Sequence, residues 1–437
     1  MTICKQESFD FPSCKSKKVQ ADFNGGDVTS DGGVLLLRQV DRKLGLTMKL
    51  NELLEDSRRQ GSCDHNQLRL LRQRIYALAL GYEDINDHST LRGDVALQTA
   101  VEANEMLASS STLCRWENRA DRETARLMSK WLIESFVKSF STPPEELVLD
   151  FDATDDPTHG KQEGRFFHGY YDHYCFLPLY VFCGEKLLVS YLRPSNIDAA
   201  KHAWAILSLL VKRLREVWLN VKIIIRADSG FCRWRMLSWC DKHNVGYIIG
   251  VAKNSRLNAM AAPLMEEAKL RHEATGEKQR LFSDIQYAAD TWDRKRRILV
   301  KAEHTEQGSN PRYVVANLPG NPQKLYDEIY CARGDMENRI KEQQLDLFSD
   351  RTSCTKWWAN QFRMLLSSLA YLLLQTLRSI ALKGTELAKA QCGTIRLKLL
   401  KIGAVIIRNT RRIVLHLSSS CPYQKIFRLA VRRLSTA

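Results

Sequence analysis

Along this chain the apolar positions change spacing repeatedly. From about residue 33 to 140 they recur at helical intervals, with Leu68, Leu71, Ile75, Leu78 and Ala79 three and four residues apart and Arg69, Arg72 and Arg74 between them. The run 109–112 is all Ser and Thr, suited to cap a further helix that carries Arg115, Trp116 and Arg119. Beyond Pro143 and Pro144 the pattern turns to short β-rich runs at 147–152, 166–182, 187–192, 221–228 and 246–252. Helical spacing at 199–218, with Trp204, Leu207, Leu210, Val211 and Leu214 on one face, and at 233–243 separates the later runs. Such an alternation predicts an α/β fold, a mixed sheet covered by helices. From 253 to 319 the regularity breaks, leaving 297–303 and 313–317 as strand candidates. Helix returns at 323–344 and 357–382, and strand-like stretches at 397–407 and 413–417 follow.

Charge changes this picture once it is located. The 437 residues carry a net +15. From Lys356 onward fifteen Lys and Arg face one acid, Glu386, so that segment holds +14 and the first 355 residues only +1. A segregated positive field is the footprint of a protein that neutralises phosphates. The segment is also rich in Leu, Ile and Val, which favours a folded nucleic-acid-binding region over a solvated tail or a lipid-binding one. Hydrophobic content of 44% supports a real core, and the length suggests two to four domains. No stretch reaches the roughly 20 apolar residues of a membrane span, and 365–382 is interrupted by Ser367, Ser368, Gln375, Arg378 and Ser379. Residues 1–22 lack the features of a secretion signal, so a cytoplasmic protein without a membrane partner is expected. None of the twelve cysteines forms a C-x-x-C pair, and Cys175/Cys183 and Cys232/Cys240 lack zinc-site spacing.

Two aspartates end the two most apolar strand candidates, Asp152 after 147–151 and Asp228 after 223–225. Strand ends open into the crevice where α/β sheets place their sites. Carboxylates beside apolar segments are costly unless a cation or hydrogen bonds compensate, and divalent magnesium takes oxygen ligands. Two ions sharing such acids would clamp the attacking and leaving oxygens of a phosphodiester. Each aspartate alone also reads as a turn or cap, Asp228-Ser229-Gly230 in particular. A third region adds Tyr330, Arg333 and Glu337, which share one face of a helix. Arg333 offers a planar fork for phosphate. The competing reading of that face is an exposed charged surface, with Glu337 and Lys341 one turn apart.

With D-F-D-A-T around Asp152, R-A-D-S-G-F around Asp228 and Y-x-x-R-x-x-x-E at Tyr330, Arg333 and Glu337, the chain resembles a bacterial insertion-sequence DDE transposase. The last string resembles the Tyr-Arg-Glu-Lys signature, and the wider text, including S-S-S-T-L-C-R-W-E-N and E-N-R-I-K-E-Q-Q-L-D-L-F, is similar to the insertion sequence 1380 family. One departure is that the signature Lys falls on Gln344, leaving Lys341 to supply that charge.

The resemblance implies a ribonuclease-H-like mixed-sheet catalytic core with a β-rich insertion, a helical N-terminal region and a basic C-terminal region. The corresponding divisions are 1–22 a flexible basic arm, 23–143 helical and DNA-binding, 144–253 the first part of the core, 254–320 the insertion, 321–382 the rest of the core with the acidic helix, and 383–437 the basic region. It implies Asp152, Asp228 and Glu337 as catalytic and metal-binding residues, with Asp150 as second choice for the first acid. Two divalent ions, Mg²⁺ or Mn²⁺, would be the cofactors. Candidate DNA contacts are Tyr330, Arg333, Lys341, Arg115 and Arg119, with Arg72 and Arg74 beside them, and Trp292 could stack on a flipped base. The implied activity is cut-and-paste transposition by a homodimer assembled on double-stranded DNA, acting on inverted-repeat ends and target DNA near the bacterial nucleoid. The rivals are a structure-selective nuclease and a domesticated DNA-binding protein. A pure binder has no need of three acids.

Overall fold

The structure is a computed structural model, and it describes residues 8–435. It divides into two compact units. The first holds residues up to Arg119, Asp346–Phe348 and the chain from Leu369 on, and the second holds Ala120–Leu345 and Ser349–Ser368.

The first unit is mainly helical. Its helix Gln67–Leu80 is buried on nearly every side, with Leu70, Leu71, Ile75 and Tyr76 shielded from solvent. That burial takes in Arg72 and Arg74, which lie between the apolar positions and which the resemblance had offered as phosphate contacts. Arg72 donates to Thr47 and Glu102 at 3.1 and 2.6 Å, and Arg74 donates to the buried Glu117 at 2.8 Å. Both guanidiniums are therefore spent inside the unit. Asp27–Thr29 pairs with Ala404–Arg408, which pairs in turn with Ile413–Leu417. Residues 397–400, expected to be extended, instead continue a helical turn (Arg396–Leu400) before the strand begins. An amphipathic helix, Gln424–Ser435, buries Ala430 and Leu434 and follows that sheet. Phe9–Cys14 and Lys17–Ala21 form an exposed hairpin, and residues 1–7 of the expected arm lie outside the described residues.

The second unit is built on a nine-stranded mixed sheet. Its order runs Gln279–Tyr287, Arg296–Thr305, Arg312–Ala316, Gly246–Val251, Lys222–Ala227, Glu146–Ala153, Leu179–Cys183, Lys186–Tyr191, with Gly308–Ser309 pairing on Arg296–Thr305. Glu146–Ala153, Lys222–Ala227 and Gly246–Val251 are parallel neighbours, and every other pairing is antiparallel. Central parallel strands are covered on both faces, which is why Lys222–Ala227 reads as a nearly continuous apolar run.

The two faces carry different jobs. Ile223, Ile225 and Ala227 pack with Leu147, Leu149 and Phe151 against the helices Ala203–Val217 and Trp234–Lys242. The alternate positions Ile224, Ile248 and Val148 pack against Leu325, Tyr326, Ile329 and Tyr330. By the two-residue period of a strand, Asp150, Asp152, Arg226 and Asp228 lie on this second face. The sheet thus aims its charged side chains at the element that carries Glu337.

A 21-residue helix, Ser255–Thr275, lies in the stretch where periodicity failed. It carries an internal Pro263 and buries only Leu257, Ala261 and Ala268, so small alanines hide the apolar stripe. One helical stretch, Trp357–Ala381, is long and apolar enough to cross a bilayer, and 83% of its most apolar window is buried inside the protein.

Candidate active site

The strand Glu146–Ala153 and the strand Lys222–Ala227 run in parallel register, Asp150 opposite Arg226 and Phe151 opposite Ala227. One position further on in each segment come Asp152, the next-to-last residue of its strand, and Asp228, the first residue after its own. Asp228 turns the chain: its Oδ1 accepts from the Gly230 amide at 2.9 Å and caps a short turn, Ser229–Phe231. The ordinary cap reading is thus correct for one oxygen of Asp228.

The helical stretch from Pro322 to Asp346 carries the third acid and is not one uniform helix. Wide turns at Leu325–Tyr330 and Glu342–Asp346 flank a tighter turn, Cys331–Arg333, and the regular helix Gly334–Lys341. Wide turns of this kind recur at functional sites. Arg333 reaches from this element to both neighbouring acids. It donates through one nitrogen to Asp152 Oδ2 at 3.2 Å and through the other to Glu337 Oε1 at 2.6 Å.

Asp150 and Asp152 have different partners. Asp150 is 2% exposed and receives both arms of Arg226, Nε to Oδ1 at 2.5 Å and a terminal nitrogen to Oδ2 at 2.7 Å. The third Arg226 nitrogen donates to the Ile329 carbonyl at 2.6 Å. Arg226 therefore ties the two acid-bearing strands to the element that bears Glu337. Asp152 accepts from the Ala153 amide at 2.9 Å and from Arg333. Burial pushes its carboxyl up to about 7; Arg333 opposes the shift, and the charges of Asp228 and Glu337 add to it. A carboxylate so placed favours a cation.

Among the described residues no three carboxylate, imidazole or thiol groups converge closely enough to hold a metal ion as they stand. The donor set is nonetheless all oxygen and anionic, as magnesium requires. Asp152 and Asp228 fit that role as neighbours, and Glu337 is joined to Asp152 through the Arg333 guanidinium.

The remaining candidates are dispersed. Tyr330 packs beside the Asp228 turn, across Gly250: a Cβ on Gly250 would lie 2.7 Å from the Tyr330 hydroxyl and 2.9 Å from the Ser229 amide nitrogen. Gly250→Ala should therefore cost about 1–3 kcal/mol through overpacking. Thermal melts of Gly250→Ala with and without Tyr330→Phe, which removes the hydroxyl, check this: partial restoration in the double variant is expected, and none would mean the crowding is with backbone alone. Lys341 is exposed at the end of its helix, and Arg115 and Arg119 are exposed in the first unit. Gln344, at the signature Lys position, donates to the Asp155 carbonyl at 2.9 Å, so it braces the acidic helix on the segment after Asp152. Trp292 packs on the core beside Tyr287, ring centroids 5.7 Å apart, with Arg296 over its face. Sequence reading passed over Arg226 and Gly250. The alternation of Arg226 with Ile223 and Ile225 inside a buried strand was the available sign for the first.

The site can be set beside known proteins. A family model described as transposase DDE domain group 1 matches residues 11–437. No curated protein matches. Among solved structures, the chain is similar to a piggyBac transposase in a synaptic complex with hairpin DNA, at a TM-score of 0.44 and 9% identity, covering 85% of this chain and 80% of that one. Because the family model runs over nearly the whole sequence, the chain belongs to the DDE transposase domain family, group 1.

Proposed function

We propose that this DDE transposase binds the inverted-repeat ends of its own mobile element, cuts them, and joins the freed 3′-hydroxyl to target DNA. Asp152, Asp228 and Glu337 are the proposed catalytic carboxylates, holding two divalent ions, Mg²⁺ or Mn²⁺. The observation that carries the reading is the gathering of acids from two adjacent strand ends and one helix, with Arg333 bonded to two of them. When bound, divalent ions there supply activation of the attacking oxygen and stabilisation of the leaving oxygen of a phosphodiester.

The chain's own side chains do the rest. Arg333 balances Asp152 and Glu337, and its fork suits a phosphate once those acids are neutralised otherwise. Tyr330 flanks the same turn. Arg226 and Gln344 hold the strands and the acidic helix in register. A mixed sheet with the acids on adjacent central strands supports a ribonuclease-H-like core, with 254–320 as an insertion into it. The region 23–143, with Arg115 and Arg119, and the basic segment 383–437 are proposed to neutralise DNA phosphates, and Lys341 to contact DNA near the site. Two ends cut in concert require two active sites, hence a homodimer on DNA, working in the cytoplasm at the nucleoid.

Incubating the full chain with DNA bearing the short inverted repeats that flank its gene, plus target plasmid, tests this. Magnesium-dependent cleavage followed by joined products is the expected result. Cutting without joining would favour a nuclease, and cleavage that persisted in Asp228→Ala or Glu337→Ala would overturn the assignment of the acids.

A further inference from the structure

Four residues past Asp152 the chain enters a small three-stranded sheet, Asp156–Pro157, His173–Phe176 and Phe166–His168 in that order. Its base is anchored. Phe176 is buried against Trp357, Asp156 accepts from Thr352 at 3.1 Å, and the Phe166 carbonyl accepts from Ser195 at 2.8 Å. The outer hairpin, by contrast, presents aromatic rings to solvent. Phe167 is 52% exposed, Tyr174 48% and Tyr170 85%. Phe167 and Tyr174 are register partners in edge contact, and Arg165 sits 4.5 Å over the Tyr174 ring.

The tip is unusual in composition. Tight turns favour Gly, Asn, Asp and Pro. Here Gly169 and Asp172, which takes φ +58°, leave two adjacent tyrosines between them. Tyr170 and Tyr171 meet edge-on at 5.0 Å, and His168 and His173 lie alongside Tyr171. Solvated loops do not pay the hydration cost of so many rings without a use for them. The hairpin is also continuous with the acidic site. His173 bonds Asp155 at 3.0 Å, Gln344 of the acidic helix bonds the Asp155 carbonyl, and the Tyr171 hydroxyl, raised to about 12 chiefly by burial, feels the charges of Asp155 and Asp152.

The geometry points to a nucleobase-binding platform: one unpaired base of the DNA strand lying in the acidic site stacks on Tyr170 at the hairpin tip, with Phe167, Tyr174 and Arg165 flanking its backbone. This rests on the DNA-transposase reading above. Aromatic rings with hydroxyl edges, beside a guanidinium, accept any base face without reading sequence. A protein partner would be served by aliphatic side chains as well, and none of comparable size is exposed in 166–174.

The test uses the full chain in EDTA, so that cleavage plays no part. The probes are a duplex carrying one unpaired 2-aminopurine and the same duplex fully paired. The parent chain is expected to prefer the unpaired probe and to change its fluorescence by stacking. Tyr170→Ala should weaken the unpaired probe on the order of tenfold more than the paired one, and Tyr170→Phe, which keeps the ring, should restore the preference. Because Tyr170 is almost fully exposed, its replacement does not threaten the fold. Equal affinity for both probes without a fluorescence change, or equal loss on both in Tyr170→Ala, would overturn the platform while leaving DNA binding intact. Binding to neither probe by the parent would instead sink the DNA reading, and the platform with it.

Discussion

Replacing Asp152 with asparagine is expected to abolish strand cleavage while making the chain more stable at pH 8 in EDTA. The two effects share one cause. The Asp152 side chain is 15% exposed, and its carboxyl titrates near 7 rather than at its ordinary 3.8, mainly through burial. The folded state therefore keeps a proton that the unfolded chain has released between about pH 4 and 7. Stability contributed by that proton is full below pH 4, falls as pH rises through the window, and is gone above 7. Asparagine does not titrate, so the advantage of the variant should be near zero at pH 4 and reach at most a few kcal/mol at pH 8, at about 1.4 kcal/mol per unit. Cleavage should fall by more than the roughly 10- to 100-fold that loss of a supporting residue costs a metal site. Melts across pH 4–8 and single-turnover cleavage measure both. A variant that cleaved within a few-fold of the parent would remove Asp152 from the site, whatever its melting curve.

The same experiment on Asp150 separates two acids that sequence alone could not distinguish. Both lie on one strand face, and D-x-T context favoured Asp152 only by resemblance. Their partners differ because strand register sets Asp150 opposite Arg226, while Asp152 lies one residue past the last pair with Lys222–Ala227 and is paired only on its other side, with Tyr180. Register is a long-range property, 76 residues apart in sequence, and no local pattern carries it. The strands themselves were legible, since buried parallel strands show as apolar runs ending at 151 and 227. The linkage of Arg333 to Asp152 was not, because helical periodicity brings Arg333 to Glu337 but says nothing of what faces them. The lengthened turns at Leu325–Tyr330 and Glu342–Asp346 also escaped notice, for a wide turn leaves the same residue types in place and only shifts their phase. Gln344 is the instructive case. As a missing lysine it looked like a gap in the signature, yet its amide braces the backbone at Asp155.

Arg226→Ala is expected to be the most destabilising single change near the site, by about 3–5 kcal/mol, because it strands the buried Asp150 without its partner. In a unit of this size that is a fall in melting temperature on the order of 10 °C. Adding Asp150→Asn should recover part of the loss by removing the stranded charge, which a purely steric account of the arginine would not predict. Stability alone would make Arg226 a structural residue. Its positioning role is read from Arg226→Lys, which keeps the charge but not the fork that holds Asp150 and the Ile329 carbonyl together. Freed from that carbonyl, the segment Leu325–Tyr330 can drift relative to the two strand ends, and a displacement near 1 Å costs about 100-fold in a reaction that depends on alignment. Arg226→Lys should therefore fold, bind DNA with little change, and cut slowly at saturating magnesium, so that the rate falls while the apparent DNA affinity holds. Cleavage at the parent rate by a folded Arg226→Lys chain would confine Arg226 to stability and leave the placement of Glu337 to Gln344 and the apolar contacts of Leu325 and Tyr326.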